Sequence, residues 1–206
     1  MILKALEVGA IAANCYIIGC EETMEGAVID PGGSPKDILR VIKDLNLKIK
    51  YIINTHGHID HMGANRQVKE ATGATILIHE EDAGMLTNPA SNFSMFMGRN
   101  ITSPGAEQFI KDGDIIKIGN TIELEVMHTP GHSRGGVCLK TGNMIFAGDT
   151  LFYGSIGRTD FPGGSFKTLI ESIKNRILCY EDDVVVYPGH GPATTVGFER
   201  KHNPFL

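Results

Sequence analysis

The sequence predicts an α/β protein of one domain, in which helices cover sheets. Short runs of β-branched or alternating residues, bounded by Gly, Asn or Pro, indicate strands, and three segments with apolar residues at helical spacing indicate helices. Each half of the chain passes through several strands and then a helix–strand unit, with no close internal repeat and no obvious linker. Helices and strands with one apolar face pack in layers, so a single domain over residues 1–206 is expected.

The first half of the chain begins with strands and continues into helices. A helix is expected after the third strand, because Ser34 can cap it, Pro35 suits its first turn, and the apolar residues from Ile38 onward share one face. A second helix is predicted over Gly63–Thr72. The strands predicted in this half are Leu3–Val8, Cys15–Ile18, Ala27–Ile29, Ile49–Asn54 and Thr75–Ile78.

The second half opens with Asn88–Pro104, a stretch rich in Met, Phe, Asn and Ser. Within it, Phe93–Arg99 either forms a small core under a long loop or lines a substrate entrance. A third helix is predicted from Phe166 to Ile177, followed by Val184–Tyr187 as the closing strand. The other strands predicted here are Ile115–Ile118, Thr121–Val126, Val137–Lys140 and Met144–Phe146.

The composition is that of a soluble globular protein. Among the 206 residues, 42% are hydrophobic and 21% charged, which excludes disorder as the main state, and the formal charge of −5 argues against nucleic acid or anionic membranes as partners. No apolar run approaches the roughly 18 residues of a membrane helix, so a cytoplasmic protein is expected. The four cysteines form no C-x-x-C pair and are expected to be buried, reduced thiols.

The most informative segment is Thr55–His61, directly after the apolar strand that ends at Ile53. Residues two apart in an extended chain point the same way, so His56 and His58 can bind one ion together. Asp60 and His61 follow where the chain turns, and their side chains can reach a second ion. Burying these groups without a metal would leave imidazole nitrogens and a carboxylate desolvated.

Three later turns have the same form, a strand that ends in a Gly-containing turn with one ligand-type residue. Together with Thr55–His61 they supply five histidines and two aspartates, enough for two ions with three or four protein ligands each. Imidazole and carboxylate ligands suit zinc, manganese or iron. The three turns are Thr129–Ser133 with His132, Ala147–Thr150 with Asp149, and Tyr187–Pro192 with His190.

The H-x-H-x-D-H signature at His56–His61, followed by T-P-G-H, G-D-T and P-G-H-G elements, resembles the metallo-β-lactamase superfamily over essentially the whole chain. The resemblance implies an αββα sandwich, two mixed sheets flanked by helices, with two metal ions at one edge. It also implies a division of the ligands: His56, His58 and His132 for the first metal, Asp60, His61 and His190 for the second, and Asp149 as the bridge.

Within this superfamily the sequence is most similar to the hydroxyacylglutathione hydrolases (glyoxalase II), especially short bacterial relatives. Asp149 fits, because zinc β-lactamases tend to carry cysteine at the bridging position, and so does the Asn-Pro-Phe ending. There are two departures. The chain stops at Leu206, without the C-terminal helical region that holds glutathione in full-length glyoxalase II. Gly157–Phe161 replaces the Lys- and Tyr-bearing glutathione loop and resembles the persulfide dioxygenases.

The resemblance implies a metal-dependent hydrolase of small thioesters, with zinc as the expected metal and iron or manganese as alternatives. A hydroxide between the two metals would attack the thioester carbonyl, with Asp60 and Asp149 as the catalytic carboxylates. Two divalent ions, two aspartates and one hydroxide leave about +1, which favours a small anionic substrate. The sequence leaves the acyl group, the thiol and the oligomeric state open.

Several residues outside the proposed ligand set also receive roles or alternatives. Arg158 could bind a substrate carboxylate or pair with Asp160 to fix its loop, and Tyr153 is a candidate for the substrate pocket. Asp30 is expected behind the ligands, holding a backbone amide or a metal-bound histidine. The remaining histidines, at positions 79, 128 and 202, are expected to be structural or exposed.

Four other functions are alternatives to a thioester hydrolase. The nearest is an iron-dependent persulfide dioxygenase, favoured by Gly157–Phe161, whereas Pro192 leans toward the hydrolases. A ribonuclease-type phosphodiesterase is disfavoured because the chain is acidic. Another small-ester metallohydrolase is a further alternative. A non-catalytic metal-binding module is disfavoured because structural zinc sites are closed and usually rich in cysteine.

Overall fold

A computed structural model describes residues 1–206, the whole of the sequence. The chain folds into two six-stranded mixed sheets with helices packed on their outer faces. A shared apolar core lies between the two sheets. The predicted αββα fold class is therefore confirmed.

The first sheet carries its strands in chain order and changes from antiparallel to parallel pairing at its third strand. Parallel neighbours need crossover connections, and helices supply the first two of these. The strands are β1 (Ile2–Val8), β2 (Ala13–Gly19), β3 (Glu25–Ile29), β4 (Lys48–Ile53), β5 (Thr75–His79) and β6 (Gln108–Ile110).

The second sheet contains four antiparallel pairings and one parallel pairing, between its fourth and fifth strands in chain order. Its strands are β7 (Ile115–Ile118), β8 (Ile122–His128), β9 (Val137–Thr141), β10 (Met144–Gly148), β13 (Val185–Pro188) and β14 (Thr194–Thr195), and a separate hairpin, β11 (Leu151–Phe152) and β12 (Ser155–Ile156), lies between them in the chain. The spatial order is β14-β13-β10-β9-β8-β7.

The chain contains six α-helices and two 3₁₀ turns, and all of them except the last helix, which follows the last strand, lie between strands. Pro35 begins the first helix as predicted, but Ser34 does not cap it: its backbone is left-handed (φ 48°), and its Oγ instead accepts a hydrogen bond from the Gly9 amide at 3.2 Å. The helices are α1 (Pro35–Asp44), α2 (Ile59–Met62), α3 (Asn65–Thr72), α4 (Glu80–Ala83), α5 (Phe166–Arg176) and α6 (Val196–His202), and the 3₁₀ turns are Gly84–Thr87 and Met95–Met97.

The layering follows from the alternation of side chains along buried strands. On β4, Ile52 packs outward against the helix layer, whereas Ile53 packs inward between the sheets. On the outer face of the second sheet, α5 buries Leu169 and Ile173 at helical spacing. Both faces are covered only in the second half of β4, which explains why Tyr51–Ile53 is a continuous apolar run, whereas the first half of the strand alternates with the exposed Lys48 and Lys50.

The structure corrects the prediction of Val184–Tyr187 as the closing strand, because β14 and α6 follow it. Thr195 caps α6, since its Oγ1 accepts a hydrogen bond from the Phe198 amide at 3.2 Å. β6 and the β11–β12 hairpin were not predicted either, and at two or three residues per strand they are too short for a periodic pattern.

Two expectations concern the surface. The prediction of four buried cysteines is wrong for Cys179, which is exposed, whereas the other three are buried and all four are free thiols. No helix combines the length and the apolar composition that crossing a bilayer would require.

Candidate metal centre

Strand ends from both sheets bring the predicted ligands to one edge of the sandwich. Thr55–His61 follows β4 of the first sheet, and the remaining three ligand-type residues follow β8, β10 and β13 of the second. Because these four strands end on the same side, residues far apart in sequence converge. The seven predicted ligands, His56, His58, Asp60, His61, His132, Asp149 and His190, all take part in the resulting clusters.

The first cluster, here the three-histidine group, consists of His56, His58 and His132. One ring nitrogen from each lies within 4.8 Å of the others, and His132 Nε2 is 2.9 Å from His58 Nδ1. All three side chains are buried. The ring planes meet nearly at right angles, so the nitrogens converge from different directions, as ligands of one ion do.

The second cluster, here the mixed group, consists of Asp60, His61 and His190. His190 Nε2 lies 3.2 Å from Asp60 Oδ2 and 3.3 Å from His61 Nε2. Asp60 and His190 are partly exposed, whereas His61 is fully buried. This cluster therefore combines oxygen and nitrogen ligand atoms and faces solvent on one side.

Asp149 lies between the two groups. Its Oδ1 is 3.3 Å from His61 Nε2, and its Oδ2 is 3.6 Å from His132 Nε2 and 3.7 Å from His190 Nε2. One carboxylate thus reaches histidines of both groups, the placement that a residue shared by two ions requires.

Charge explains why the two groups behave differently. Burial, followed by the neighbouring His132, lowers the pKa of His58 to about 3, and burial lowers the pKa of His56 as well. Burial alone would also lower the pKa of His61, but the Asp149 and Asp60 carboxylates outweigh it and raise that pKa well above its usual value. His56 and His58, whose pKa values are lowered, are therefore neutral at pH 7 and can act as ligands.

The residues present fit two metal ions. His56 Nε2 and Asp149 Oδ1 are buried and have no hydrogen-bond partner. Buried polar atoms are nearly always paired, so two unpaired atoms in one cluster of ligand-type side chains indicate that a further group belongs between them. A cation satisfies both atoms at once, because each offers a lone pair.

Asp30 lies behind the ligands, where the sequence analysis expected it. Its Oδ1 accepts a hydrogen bond from the Thr55 amide at 2.7 Å, and its Oδ2 accepts one from Thr55 Oγ1 at 2.6 Å. The same Oδ2 is 3.0 Å from His61 Nδ1. Asp30 thus holds both a backbone amide and a histidine ring, and it directs the other nitrogen of His61 into the centre.

Two residues that the sequence analysis did not single out also support the centre. Asp82 accepts hydrogen bonds from the amides of Gly57, at 3.2 Å, and Gly135, at 2.7 Å, and so fixes the turns beside His58 and His132. Asn14 Nδ2 donates to the carbonyls on either side of His190, those of Pro188 and Gly191. A polar residue within an otherwise apolar strand could have indicated a role for Asn14.

Glycine is required where the turn after β13 approaches the centre. A Cβ at Gly189 would collide with Asp149 Oδ1 and lie 2.7 Å from His61 Cε1. The backbone of the P-G-H-G turn can therefore come close to the ligands only because this position has no side chain.

A cavity of about 1,050 Å³ opens over the centre, and Asp60, Asp149 and His190 contribute to its lining. Arg158 also lines it, but its guanidinium makes two hydrogen bonds to Asp160, at 2.8 and 2.7 Å. The pair considered from the sequence is thus formed.

Tyr153 does not line the cavity, contrary to expectation: its ring stacks on Phe198 at 4.7 Å. Its neighbour Phe152 lines the cavity instead and lies edge-on to His190, 6.0 Å between ring centroids. The tight turn at Gly154 (φ 62°) places adjacent residues on different sides, a detail that spacing alone does not predict.

Comparison with known proteins gives one consistent family. The sequence model of the metallo-beta-lactamase superfamily matches residues 8–195. The hydroxyacylglutathione hydrolase GloC of Haemophilus influenzae is 37% identical, over all of this chain and 98% of that protein. Two solved structures are similar as well.

The crystal structure of the BLEG-1 B3 metallo-beta-lactamase matches with a TM-score of 0.95 and 37% identity, over 100% of this chain and 99% of that one. The crystal structure of TTHA1623 in a di-iron-bound form matches with a TM-score of 0.88 and 33% identity, over 98% and 100% of the two chains. These matches span whole chains, so they concern the entire fold and not a shared motif alone.

Proposed function

Because this chain belongs to the metallo-beta-lactamase superfamily, we propose that it is a dinuclear metal-dependent hydrolase of small thioesters. The observation that carries the proposal is Asp149, whose two oxygens face histidines of both groups beside an open cavity. A structural metal site is closed on all sides, whereas this one has Asp60 and His190 partly exposed. The similarity to a hydroxyacylglutathione hydrolase supports a thioester as the substrate.

In this proposal the three-histidine group holds one ion, the mixed group holds the other, and Asp149 is shared. Zinc is the metal we favour, since nitrogen-rich sites with carboxylates suit it, and iron is the main competitor because a similar chain is known in a di-iron form. Two such ions, when bound, would lower the pKa of a metal-bound water toward about 7 and would polarise a carbonyl oxygen.

The side chains of this chain account for the remaining requirements. Although burial opposes ionisation, the His61 and His190 charges lower the pKa of Asp60, so it is a carboxylate at neutral pH. Asp60 lines the cavity, where its carboxylate can accept a hydrogen bond from the attacking water and orient it. The leaving group is a thiolate, whose parent thiol has a pKa of about 8.5, so no strong general acid is needed.

The test is hydrolysis of a thioester panel by protein of measured metal content. We expect about two equivalents of metal per chain and turnover of S-lactoylglutathione and smaller thioesters under both aerobic and anaerobic conditions. His58→Ala should abolish turnover and lower the metal content. His202→Ala is the matched control, because this exposed histidine packs on Phe198 outside the centre and should change neither.

Absence of turnover on every thioester by the two-metal protein would overturn the proposal. Oxygen uptake with glutathione persulfide would then identify a dioxygenase. Full activity in metal-free protein would overturn the metal assignment itself.

A further inference from the structure

An aromatic wall, formed by Phe93, Phe96 and Phe161, borders one side of the metal centre. Phe93 is edge-on to His58 with 4.9 Å between ring centroids, and Phe161 stacks on Phe93 at 4.2 Å. Phe96 continues the wall outward, 5.8 Å from Phe93, and 74% of its surface is exposed. The wall thus runs from a proposed metal ligand to the mouth of the cavity.

Hydrogen bonds of Asn92 fix the segment that carries Phe93. Asn92, which is fully buried, donates hydrogen bonds from its side chain to the carbonyls of Met85 and Ile101, and its own carbonyl accepts from the Ile59 amide at 3.0 Å. Phe93 itself has a left-handed backbone (φ 68°), which is uncommon for a bulky residue and strained. Such strain persists where surrounding contacts impose it, and here it aims a ring at His58.

The rest of the cavity offers little to a highly charged substrate. No lysine lines it, and of its two arginines Arg158 is paired with Asp160 and lies over the Phe161 ring at 3.7 Å. Arg134 remains as the single lining guanidinium without a carboxylate partner. Exposed apolar side chains are also present at the rim, at Ile11 and Met97.

From this arrangement we propose that the aromatic wall binds an apolar, preferably aromatic, group bonded directly to the reacting thioester unit, and that Phe93 and Phe96 determine this specificity. The inference deepens the proposed function and rests on it. Because the wall starts at His58, a group attached next to the reacting carbonyl can touch Phe93 while that carbonyl lies at the centre. The cavity volume, at the upper end of typical ligand pockets, leaves room for a ring.

The apolar group could belong to the acyl half or to the thiol half, so the experiment has two arms. The acyl arm compares acetyl and phenylacetyl thioesters of N-acetylcysteamine. The thiol arm compares acetyl thioesters of N-acetylcysteamine and benzylthiol. In each arm the quantity is the ratio of kcat/KM for the aromatic over the non-aromatic substrate, measured for the natural protein and its variants, so that differences in chemical reactivity cancel.

We expect the effect in whichever arm, acyl or thiol, carries the aromatic group that contacts the wall. In that arm Phe93→Ala should lower the aromatic preference by roughly tenfold, the lower end of what apolar pocket contacts supply. Phe96→Ala should lower it by a smaller factor, and because that side chain is exposed the variant should fold normally. Phe109→Ala is the matched control, since Phe109 is also exposed but lies on β6 and does not line the cavity. Its preference should equal that of the natural protein.

Two results would overturn the inference, and they are distinguishable. If thioesters are hydrolysed but the aromatic preference is the same in all four proteins, the wall does not bind substrate while the proposed function stands. If the two-metal protein hydrolyses no thioester in either arm, the proposed function fails and the inference fails with it.

Discussion

The three-histidine group and the mixed group both bring ligand atoms together, but only the mixed group contains a carboxylate that can balance the charge of its histidines. In the first, only imidazoles meet, and His56 Nε2 is left unpaired. In the second, Asp60 lies within 4 Å of His61 and His190 and compensates their charge. Without a bound cation the mixed group can satisfy itself by ion pairing, whereas the three-histidine group cannot.

This difference teaches which part of the centre depends most on metal. Because their pKa values are lowered, His56 and His58 already have the protonation state that a metal requires, and metal binding releases few protons from them. A cation there removes an unpaired buried atom, which is a direct gain in stability. In the mixed group the cation must replace existing ion pairs, so the net gain is smaller.

The largest expected effect is that of removing the metals. Chelation should abolish activity and lower the melting temperature by roughly 10–20 °C, since each ion present at about 100 times its dissociation constant adds about 2.7 kcal/mol. Zinc or manganese should restore both. Differential scanning calorimetry with and without chelator measures the shift, and an unchanged melting temperature would contradict the stabilising role given to the centre.

Asp149→Ala tests whether the two groups are joined. Because its oxygens face His61, His132 and His190, we expect both metal equivalents to weaken and turnover to fall by more than the roughly 100-fold typical of residues that only orient ligands. Native mass spectrometry of the variant counts the ions. Retention of one full equivalent would assign Asp149 to a single group.

A matched pair of substitutions can separate the groups. Asp82→Asn replaces one accepting carboxylate oxygen with an NH2 group, so either the Gly57 or the Gly135 amide loses its acceptor. Asp30→Asn likewise removes the acceptor of either the Thr55 amide or the His61 ring. We expect a roughly 10- to 100-fold loss of metal affinity in each variant. For Asp82→Asn the loss should fall mainly on the three-histidine group, and for Asp30→Asn mainly on the mixed group.

Calorimetric titration of metal-free protein with zinc resolves the two binding steps. Asp37→Asn is the control, because Asp37 is an exposed residue of α1 paired with Arg40 and should leave both steps unchanged. If both variants weaken both steps equally, the two groups do not act as separate sites.

The ligand-bearing turns were predictable from the sequence because they are local. Four ligand-type residues within His56–His61 and the Gly-containing turns around His132, Asp149 and His190 carry their signal in a few consecutive residues. The division of these ligands came from the resemblance, and the structure brings the same residues together. Strands and helices with strong periodicity, such as α5, were likewise predicted close to their observed bounds.

What the sequence did not predict depends on contacts between distant segments. The hydrogen bonds of Asp82 join residues 25 and 53 positions apart, and those of Asn14 join residues 174 and 177 positions apart, so no local pattern marks them. Phe93 has a left-handed backbone next to Asn92, whose side chain donates hydrogen bonds to two carbonyls of other segments, and composition cannot show either feature. Phe152 lines the cavity in place of the predicted Tyr153, because the tight turn between β11 and β12 directs neighbouring side chains to different sides.

The smallest expected effect is that of Arg158→Ala, because neither the three-histidine group nor the mixed group depends on this side chain. The Arg158 side chain is exposed and already engaged by Asp160 through two hydrogen bonds, so a substrate carboxylate would have to displace that partner. Exposed ion pairs contribute little, and we expect a melting temperature within about 2 °C of the natural protein. His132 should stay in place, because its Nδ1 faces the backbone carbonyl of Arg158 at 2.8 Å, which the substitution retains.

Kinetics with a matched pair of thioesters, one carrying a carboxylate and one neutral, decides between the two roles of Arg158. If the side chain bound a carboxylate, Arg158→Ala would raise KM about tenfold or more for the anionic substrate alone, with kcat unchanged, because uniform binding energy is lost. The Asp160 pairing instead predicts a KM change below about threefold for both substrates. Asp160→Asn supplies the converse, since it releases the guanidinium: a fall in KM for the anionic substrate in that variant alone shows that the pair, and not the distance, keeps Arg158 from substrate.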